Sequence, residues 1–149
     1  MTILLKWKKL NSQAQIPKEA SSGAACFDLV ACLDEAMLLK KNEVNIVPTG
    51  LSCEIPDGFE MQIRARSGLA FKHGIMLVNG VGTIDSDYRG ELKILLTSFK
   101  GDFTIQPGDR IAQALISPVP QVKHVLVEDL SSTERAQGGF GSTGINQNL

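Results

Sequence analysis

Apolar and polar residues alternate in short segments along most of the chain, with the two-residue period of half-buried β-strands. The clearest segment covers residues 59–65, where four apolar residues alternate with Glu60, Gln62 and Arg64. The same pattern predicts strands near residues 3–7, 44–47, 51–55, 75–78, 92–96, 112–116 and 122–127. Turn residues such as Asn79-Gly80 and Pro107-Gly108-Asp109 separate the segments. Many short strands at regular spacing favour an all-β sandwich or barrel.

One short helix is expected to interrupt these strands. Ser67 is predicted to cap its start, residues 69–72 to form one or two turns, and Gly74 to end it. Backbone N–H groups at this start would lie beside Arg66 and the Ser67 hydroxyl, a combination that suits an anion. A serine cap next to a solvated arginine is the simpler interpretation of the same residues.

The last nineteen residues differ from the rest of the chain, because from Ser131 onward glycine and small polar residues dominate. Such a composition buries too little surface to order itself. Residues 1–130 are therefore predicted to form one domain and residues 131–149 a glycine-rich C-terminal arm. Gly139, Gly141 and Gly144 match the pattern of a dinucleotide-binding loop, but only five residues follow them, too few for the helix that such a loop requires.

Composition narrows the function classes without choosing one. The 149 residues carry 15 Lys+Arg against 16 Asp+Glu, and this balance argues against a protein that coats nucleic acid. No apolar run approaches the ~20 residues of a membrane span, and no signal sequence is evident, so a cytoplasmic protein is expected. Cys26, Cys32 and Cys53 form no CxxC pair, and they are expected to pack as small apolar residues.

Two further segments carry candidate chemistry. Residues 79–90 read NGVGTIDSDYRG, which predicts either a polar loop between two strands or a close-fitting ligand hairpin. In the second interpretation the glycines admit a planar ring, Tyr88 stacks, and an acid activates water. Asp28 lies within the apolar segment AACFDL, where a carboxylate needs a partner or a metal-bound water. Gln113, in GDRIAQ, indicates little alone.

In sequence order, AACFDL, RSGLA, NGVGTIDSDYRGE, GDRIAQ and RAQGGFGSTG resemble the five motifs of the trimeric dUTPase family, the deoxyuridine triphosphate nucleotidohydrolases. The motifs run from residue 24 to residue 144. The resemblance implies a small jelly-roll-like β-barrel, and a homotrimer whose active sites are shared between subunits. The implied reaction is hydrolysis of dUTP to dUMP and pyrophosphate, with Mg²⁺ on the triphosphate. This reaction limits uracil incorporation into DNA and supplies dUMP for dTMP synthesis.

The resemblance also implies roles for individual residues. Asp85 matches the carboxylate that activates the attacking water, and Asp28 matches the acid that holds water ligands of Mg²⁺. Tyr88 matches the ring that packs on deoxyribose and excludes a 2′-hydroxyl, and Lys93 lies at a position that lines the pocket. The implied phosphate contacts of the domain are Arg66, Ser67, Gly68 and Gln113. The implied uracil-binding positions are Asn79, Gly82, Thr83 and Ile84.

For the arm, the resemblance implies a lid that orders over bound substrate. Arg135, Ser142 and Thr143 match contacts to the outer phosphates, Phe140 matches a ring that stacks over uracil, and Gly141 lies between these groups. The sequence departs from the usual family pattern at Cys26 and Ala136, where glycine is common, and at Ala65, where proline is common.

Two alternatives remain at this stage. A dCTP deaminase shares the fold and the trimer, although Tyr88 within IDSDYRGE is typical of the dUTPase motif. A non-catalytic nucleotide sensor or protein-binding module on the same fold is the second alternative. The presence of Asp85, Asp28 and Arg135 favours catalysis.

Overall fold

The computed structural model describes residues 2–140, which form eleven strands and one short helix. The elements in chain order are β1 (Lys6–Lys9), β2 (Phe27–Val30), β3 (Met37–Leu39), β4 (Asn45–Pro48), β5 (Leu51–Glu54), β6 (Phe59–Arg64), α1 (Ser67–His73), β7 (Ile75–Leu77), β8 (Gly82–Ile84), β9 (Lys93–Ser98), β10 (Phe103–Ile105) and β11 (Arg110–Pro118). The all-β, jelly-roll-like fold with one short helix is confirmed.

The strands pair antiparallel in small sheets. The four-stranded sheet has the order β2-β11-β6-β8, and the three-stranded sheet has the order β4-β9-β7. The remaining strands form the pairs β1-β5 and β10-β3. Because β11 lies between β2 and β6, it places residues from both ends of the sequence side by side.

The core is aliphatic, as the composition predicts. Strand β9 shows the reason, because Ile94, Leu96 and Ser98 alternate inward while Lys93 remains exposed. Met61 and Ile63 of β6 are buried in the same cluster. Trp7 and Phe27 pack edge to face at the margin of this core, with ring centroids 5.9 Å apart. Aromatic side chains are therefore peripheral to the interior.

The strand predictions are confirmed at β1, β4, β5, β6, β7, β9 and β11, but the predicted strand at residues 122–127 is wrong. Pro118 and Pro120 interrupt the chain just before it, and proline removes a donor that a strand ladder needs. Residues 120–140 are all exposed and carry no strand. The apolar alternation at 122–127 thus pairs with no strand among residues 2–140.

The three cysteines are free thiols. Cys53 is buried in the core, where burial raises its pKa to about 11, in line with the expectation of a small apolar residue. Cys26 and Cys32 are half-buried instead. Among residues 2–140, no helix is long and apolar enough to cross a membrane.

Candidate functional site

A cleft of about 340 Å³ gathers residues from three distant parts of the sequence. Strand β11 positions it, because Gln113 pairs with Asp28 of β2 on one side and with Arg64 of β6 on the other. Two residues separate the end of β6 from the start of helix α1, so the first turn of the helix lies at the same cleft. The lining residues are Ala20, Ala24, Ala25, Cys26, Asp28, Arg66, Ser67, Gly68, Arg110 and Gln113.

Asp28 lies at the centre of the charges in this cleft. Its Oδ1 forms an ion pair with Nε of Arg66, and its Oδ2 accepts a hydrogen bond from Nη1 of Arg110, both at 3.1 Å. The Asp28 side chain is only 17% exposed, so an unpartnered carboxylate here would carry a large desolvation cost. The partner that the sequence required for Asp28 is therefore a pair of arginines. One carboxylate against two guanidinium groups leaves the cleft with a positive excess.

The start of helix α1 differs from the expectation by one residue. The N-cap is Arg66, in an extended conformation with φ of −90° and ψ of 129°, and Ser67 is the first helical residue. The predicted Ser67 cap is wrong because the Arg66 side chain, held by Asp28 and by the carbonyl of Arg110, fixes where the helix begins. No side-chain hydrogen bond caps the helix, and Ser67 and Gly68 are exposed. The end at Gly74 is confirmed by its left-handed φ of 67°.

Gln113 has a defined orientation in the cleft. Its Nε2 donates to the backbone carbonyl of Ala65 at 2.9 Å, just before the residue that caps α1. This bond ties β11 to the loop that carries Arg66 and Ser67. The amide of Gln113 thereby becomes a fixed polar group in the wall of the cleft.

Residues 79–88 do not form a two-stranded hairpin, so the hairpin interpretation is corrected. Strand β7 pairs with β9, whereas β8 pairs with β6 of the other sheet. The Asn79-Gly80 turn, with φ of 72° at Gly80, carries the chain from one sheet to the other. In the described part of the chain β8 is an edge strand, so one side of its backbone has no partner strand. An edge of this kind presents N–H and C=O groups to a ligand.

Tyr88 and Asp85 occupy the turn that follows β8. The Tyr88 hydroxyl donates to the carbonyl of Glu91 at 3.0 Å, and the ring covers Gly90 so closely that a Cβ on Gly90 would overlap it. A side chain at position 90 would therefore displace the Tyr88 ring. Tyr88 nevertheless remains 44% exposed, and Asp85 in the same turn is also exposed. The tyrosine ring is thus supported on one side and open on the other.

The described residues of the arm lie away from this cleft. Arg135 and Phe140 are exposed and line no part of it. Ala136 adopts a positive φ of 45°, a conformation in which glycine is unstrained and alanine is not. Gly141, Ser142 and Thr143 lie outside the described residues.

The structure therefore brings together Asp28, Arg66, Ser67, Gly68 and Gln113. It does not bring the uracil-binding positions into the cleft: Asn79, Gly82, Thr83, Ile84, Asp85 and Tyr88 lie on or around β8, two strands away from β11. Lys93 is exposed at the start of β9, with Nζ 3.8 Å from Oε2 of Glu91.

One cleft residue was missed at the sequence level. Arg110 lines the cleft and pairs with Asp28. It lies in the segment GDRIAQ, three residues before Gln113, which was the residue of that segment identified as a candidate. Simple strand alternation would place Arg110 and Gln113 on opposite faces. Its position in the same motif as Gln113 was the available signal.

Comparison with known proteins gives consistent results. A dUTPase family model matches residues 12–144. The deoxyuridine 5'-triphosphate nucleotidohydrolase of Nautilia profundicola is 54% identical over 141 residues, which are 94% of this chain and 98% of the relative.

Two solved structures extend the likeness to the fold. The dUTPase of Staphylococcus bacteriophage 80alpha, in complex with dUPNHPP, is 26% identical with a TM-score of 0.88, covering 97% of this chain and all of that one. A mutant dUTPase from phage phi11 of S. aureus, which coordinates a structural Mg(II) ion, is 22% identical with a TM-score of 0.78. It covers 87% of this chain and 99% of that one.

Proposed function

This chain belongs to the dUTPase family, and from that premise we propose that its cleft binds the triphosphate of dUTP for hydrolysis to dUMP and pyrophosphate. The chain is a dUTP diphosphatase. The observation that carries the assignment of the cleft is the convergence of three separated motifs around the ion pairs of Asp28 with Arg66 and Arg110. A polyanionic substrate suits this positive, polar cleft.

In the proposed site, Arg66, Ser67, Gly68 and Gln113 bind the phosphates. Arg66 supplies charge and geometry, because a guanidinium has five donors and only its Nε and Nη1 are engaged within the described chain. The space above Gly68 is open, with no heavy atom within 4 Å of an added Cβ. The backbone of the first helical turn is therefore accessible to a phosphate oxygen.

The proposed role of Asp85 is to orient and activate the attacking water. It is exposed, and none of the ion pairs in the described part of the chain involves it. A carboxylate with no cationic partner retains lone pairs for a water proton. Asp28, by contrast, has both oxygens held by arginines, so the two acids are suited to different tasks.

Uracil and deoxyribose are proposed to bind at the edge of β8. Its open backbone edge, near Asn79, Gly82, Thr83 and Ile84, offers donors and acceptors to the base. The exposed face of Tyr88 offers a surface for the sugar, where a 2′-hydroxyl would clash. Lys93 is proposed to line the same pocket.

A divalent metal is supported for the family, and we propose Mg²⁺ carried by the triphosphate. The side chains of the cleft suit a metal ion that arrives with the substrate phosphates better than one held by the protein alone. Among residues 2–140 no group of three or more His, Cys, Asp or Glu side chains could hold a metal ion. Magnesium commonly binds through substrate phosphates, waters and one or two carboxylates, and Asp28 is the carboxylate of this cleft. When bound, Mg²⁺ neutralises phosphate charge.

A homotrimer with shared active sites is also part of the proposal. The uracil edge and the phosphate cleft are separate in one chain, and residues 131–140, the described part of the arm, are exposed and line no part of the cleft. Residues 119–130 expose apolar side chains that a neighbouring copy would cover: Val119, Val122, Val125, Leu126, Val127 and Leu130. Leu126 is 98% exposed, a large cost for a chain that remains alone.

A product assay tests the function directly. The purified full chain is incubated with Mg²⁺ and dUTP, dCTP, dTTP or UTP, and pyrophosphate and ammonia are measured. We expect pyrophosphate from dUTP, with little from the other three. No release from dUTP would contradict the proposal. Ammonia from dCTP would indicate a deaminase, and binding without turnover would indicate a nucleotide sensor.

A further inference from the structure

Arg110 is the one charged residue of the cleft lining that is not among the proposed phosphate or metal contacts. Its Nη1 lies 3.1 Å from Oδ2 of Asp28, and its own backbone carbonyl accepts from Nη1 of Arg66 at 2.9 Å. The third contact of the network is the ion pair between Nε of Arg66 and Oδ1 of Asp28. Each of the three residues therefore contacts the other two. The Arg110 side chain thus acts on the Arg66 guanidinium through Asp28, and the Arg110 backbone carbonyl contacts that guanidinium directly.

A β-bulge places Arg110 in the cleft. Arg110 pairs with Val30 and Ala112 pairs with Leu29, so the register between β11 and β2 shifts at Ile111. As a result Ile111 and Ala112 are both buried, and the residues on either side of them, Arg110 and Gln113, both line the cleft. Bulges commonly re-aim a side chain next to a functional site.

The charge of Arg110 also matters for a polyanion. Asp28 is the carboxylate among the cleft-lining residues, and by itself it would repel phosphate groups. With Arg66 as its only partner, Asp28 would neutralise that arginine and leave the pair without net charge. The second guanidinium of Arg110 offsets Asp28, so that Arg66 keeps its attraction for phosphate.

We propose that Arg110 is a positioning residue for the triphosphate. By pairing with Asp28, it fixes the position of the Arg66 guanidinium and offsets the carboxylate charge that would otherwise neutralise Arg66. This inference rests on the proposed function of the cleft and deepens it. It predicts a selective effect, because Arg110 lines the proposed phosphate cleft and not the β8 edge, and dUMP lacks two of the three phosphates that dUPNHPP places in that cleft. A residue needed only for folding would weaken binding of every nucleotide alike.

The test compares Arg110→Gln with Arg64→Gln in the full-length protein. Arg64 lies on the neighbouring strand, exposed, with Nη2 bonded to Gln62 and not to Asp28, so its replacement removes the same charge without touching the network. Equilibrium binding of dUPNHPP and of dUMP is measured for both variants and for the unsubstituted chain, with thermal unfolding as a check of folding. The Arg110 side chain is 56% exposed, so little loss of stability is expected.

For Arg110→Gln we expect dUPNHPP affinity to fall about tenfold or more, and dUMP affinity to change less than about threefold. Arg64→Gln should change neither by more than about twofold. An equal loss for both nucleotides in Arg110→Gln, no loss at all, or an equal loss of dUPNHPP affinity in Arg64→Gln would overturn the inference. Failure of the unsubstituted chain to bind dUPNHPP would instead overturn the proposed function, and this inference with it.

Discussion

At the scale of single residues, environment separates the two acids of the proposed site. Asp28 is 17% exposed and held by two arginines, whereas Asp85 is exposed and belongs to none of the described ion pairs. Each oxygen of Asp28 already has a guanidinium contact, whereas Asp85 has no cationic partner among the described ion pairs. We therefore propose that Asp85, and not Asp28, accepts the proton of the attacking water.

Asp85→Asn should keep nucleotide binding and lose most of the turnover, by about 100-fold or more, because asparagine preserves shape but accepts no proton. The measurement is kcat for dUTP together with the Kd for dUPNHPP. Asp87→Asn is the matched comparison, since Asp87 is exposed in the same turn. Near-normal turnover in Asp85→Asn with a large loss in Asp87→Asn would move the role of base to Asp87.

At the scale of elements, we propose that the arm and the domain have separate tasks. The last strand ends at Pro118, and residues 131–140 contribute neither a strand nor a buried side chain. The fold of the domain therefore does not depend on them. If the arm is a lid, its contribution is made only with substrate bound, when closure excludes water and adds Arg135 and Phe140 to the site.

Deletion of the chain after Leu130 should leave the thermal unfolding midpoint within a few degrees of its original value. Hydrolysis of dUTP should fall to a few per cent or less, because a completed site depends on closure. Arg135→Gln in the full-length chain is the accompanying variant, and it should weaken dUPNHPP more than dUMP. Full activity in the truncated chain would show that residues 131–149 are not a lid.

The elements differ in how well the sequence predicts them. Strands β6 and β9 span six residues each, long enough for their alternation to show. Strands β3, β8 and β10 have only three residues each and were not predicted, although the equally short β7 was. In β2 the polar Asp28 interrupts a run of apolar residues, so the sequence pattern did not predict a strand there. Short elements of this kind are defined by the strands they pair with.

Most polar residues of the candidate cleft were predictable from the sequence, but Arg110 and the arrangement of the cleft were not. The contact of Arg110 with Asp28 joins residues 82 apart in sequence, and that of Arg66 with the Arg110 carbonyl joins residues 44 apart. Those long-range contacts also move the helix cap from Ser67 to Arg66. Local capping preferences contain no information about such partners, and the bulge at Ile111 likewise depends on the register with β2.

At the scale of the whole molecule, the parts of the proposed site lie apart in one chain. The proposed phosphate cleft does not include the β8 edge or residues 131–140 of the arm, and apolar side chains of residues 119–130 are exposed. Closed symmetric assembly brings such parts together, because each copy can donate to its neighbour what it lacks itself. We expect a mass of three chains in solution, each of 16.1 kDa. Leu126→Glu should weaken the trimer, whereas Lys123→Glu, a change at a residue that is already charged, should not.

Mixed trimers test whether the arm acts on a neighbouring subunit. Asp85→Asn chains keep their arm and chains truncated after Leu130 keep Asp85, so each is expected to be inactive alone. When equal amounts are unfolded and refolded together, an arm acting in trans should restore about a quarter of the activity, because half of the chains carry Asp85 and half carry an arm. An arm acting on its own subunit would restore none, since no chain then holds both groups. Each protein refolded separately and mixed afterwards is the control, and it should stay inactive for as long as subunits do not exchange.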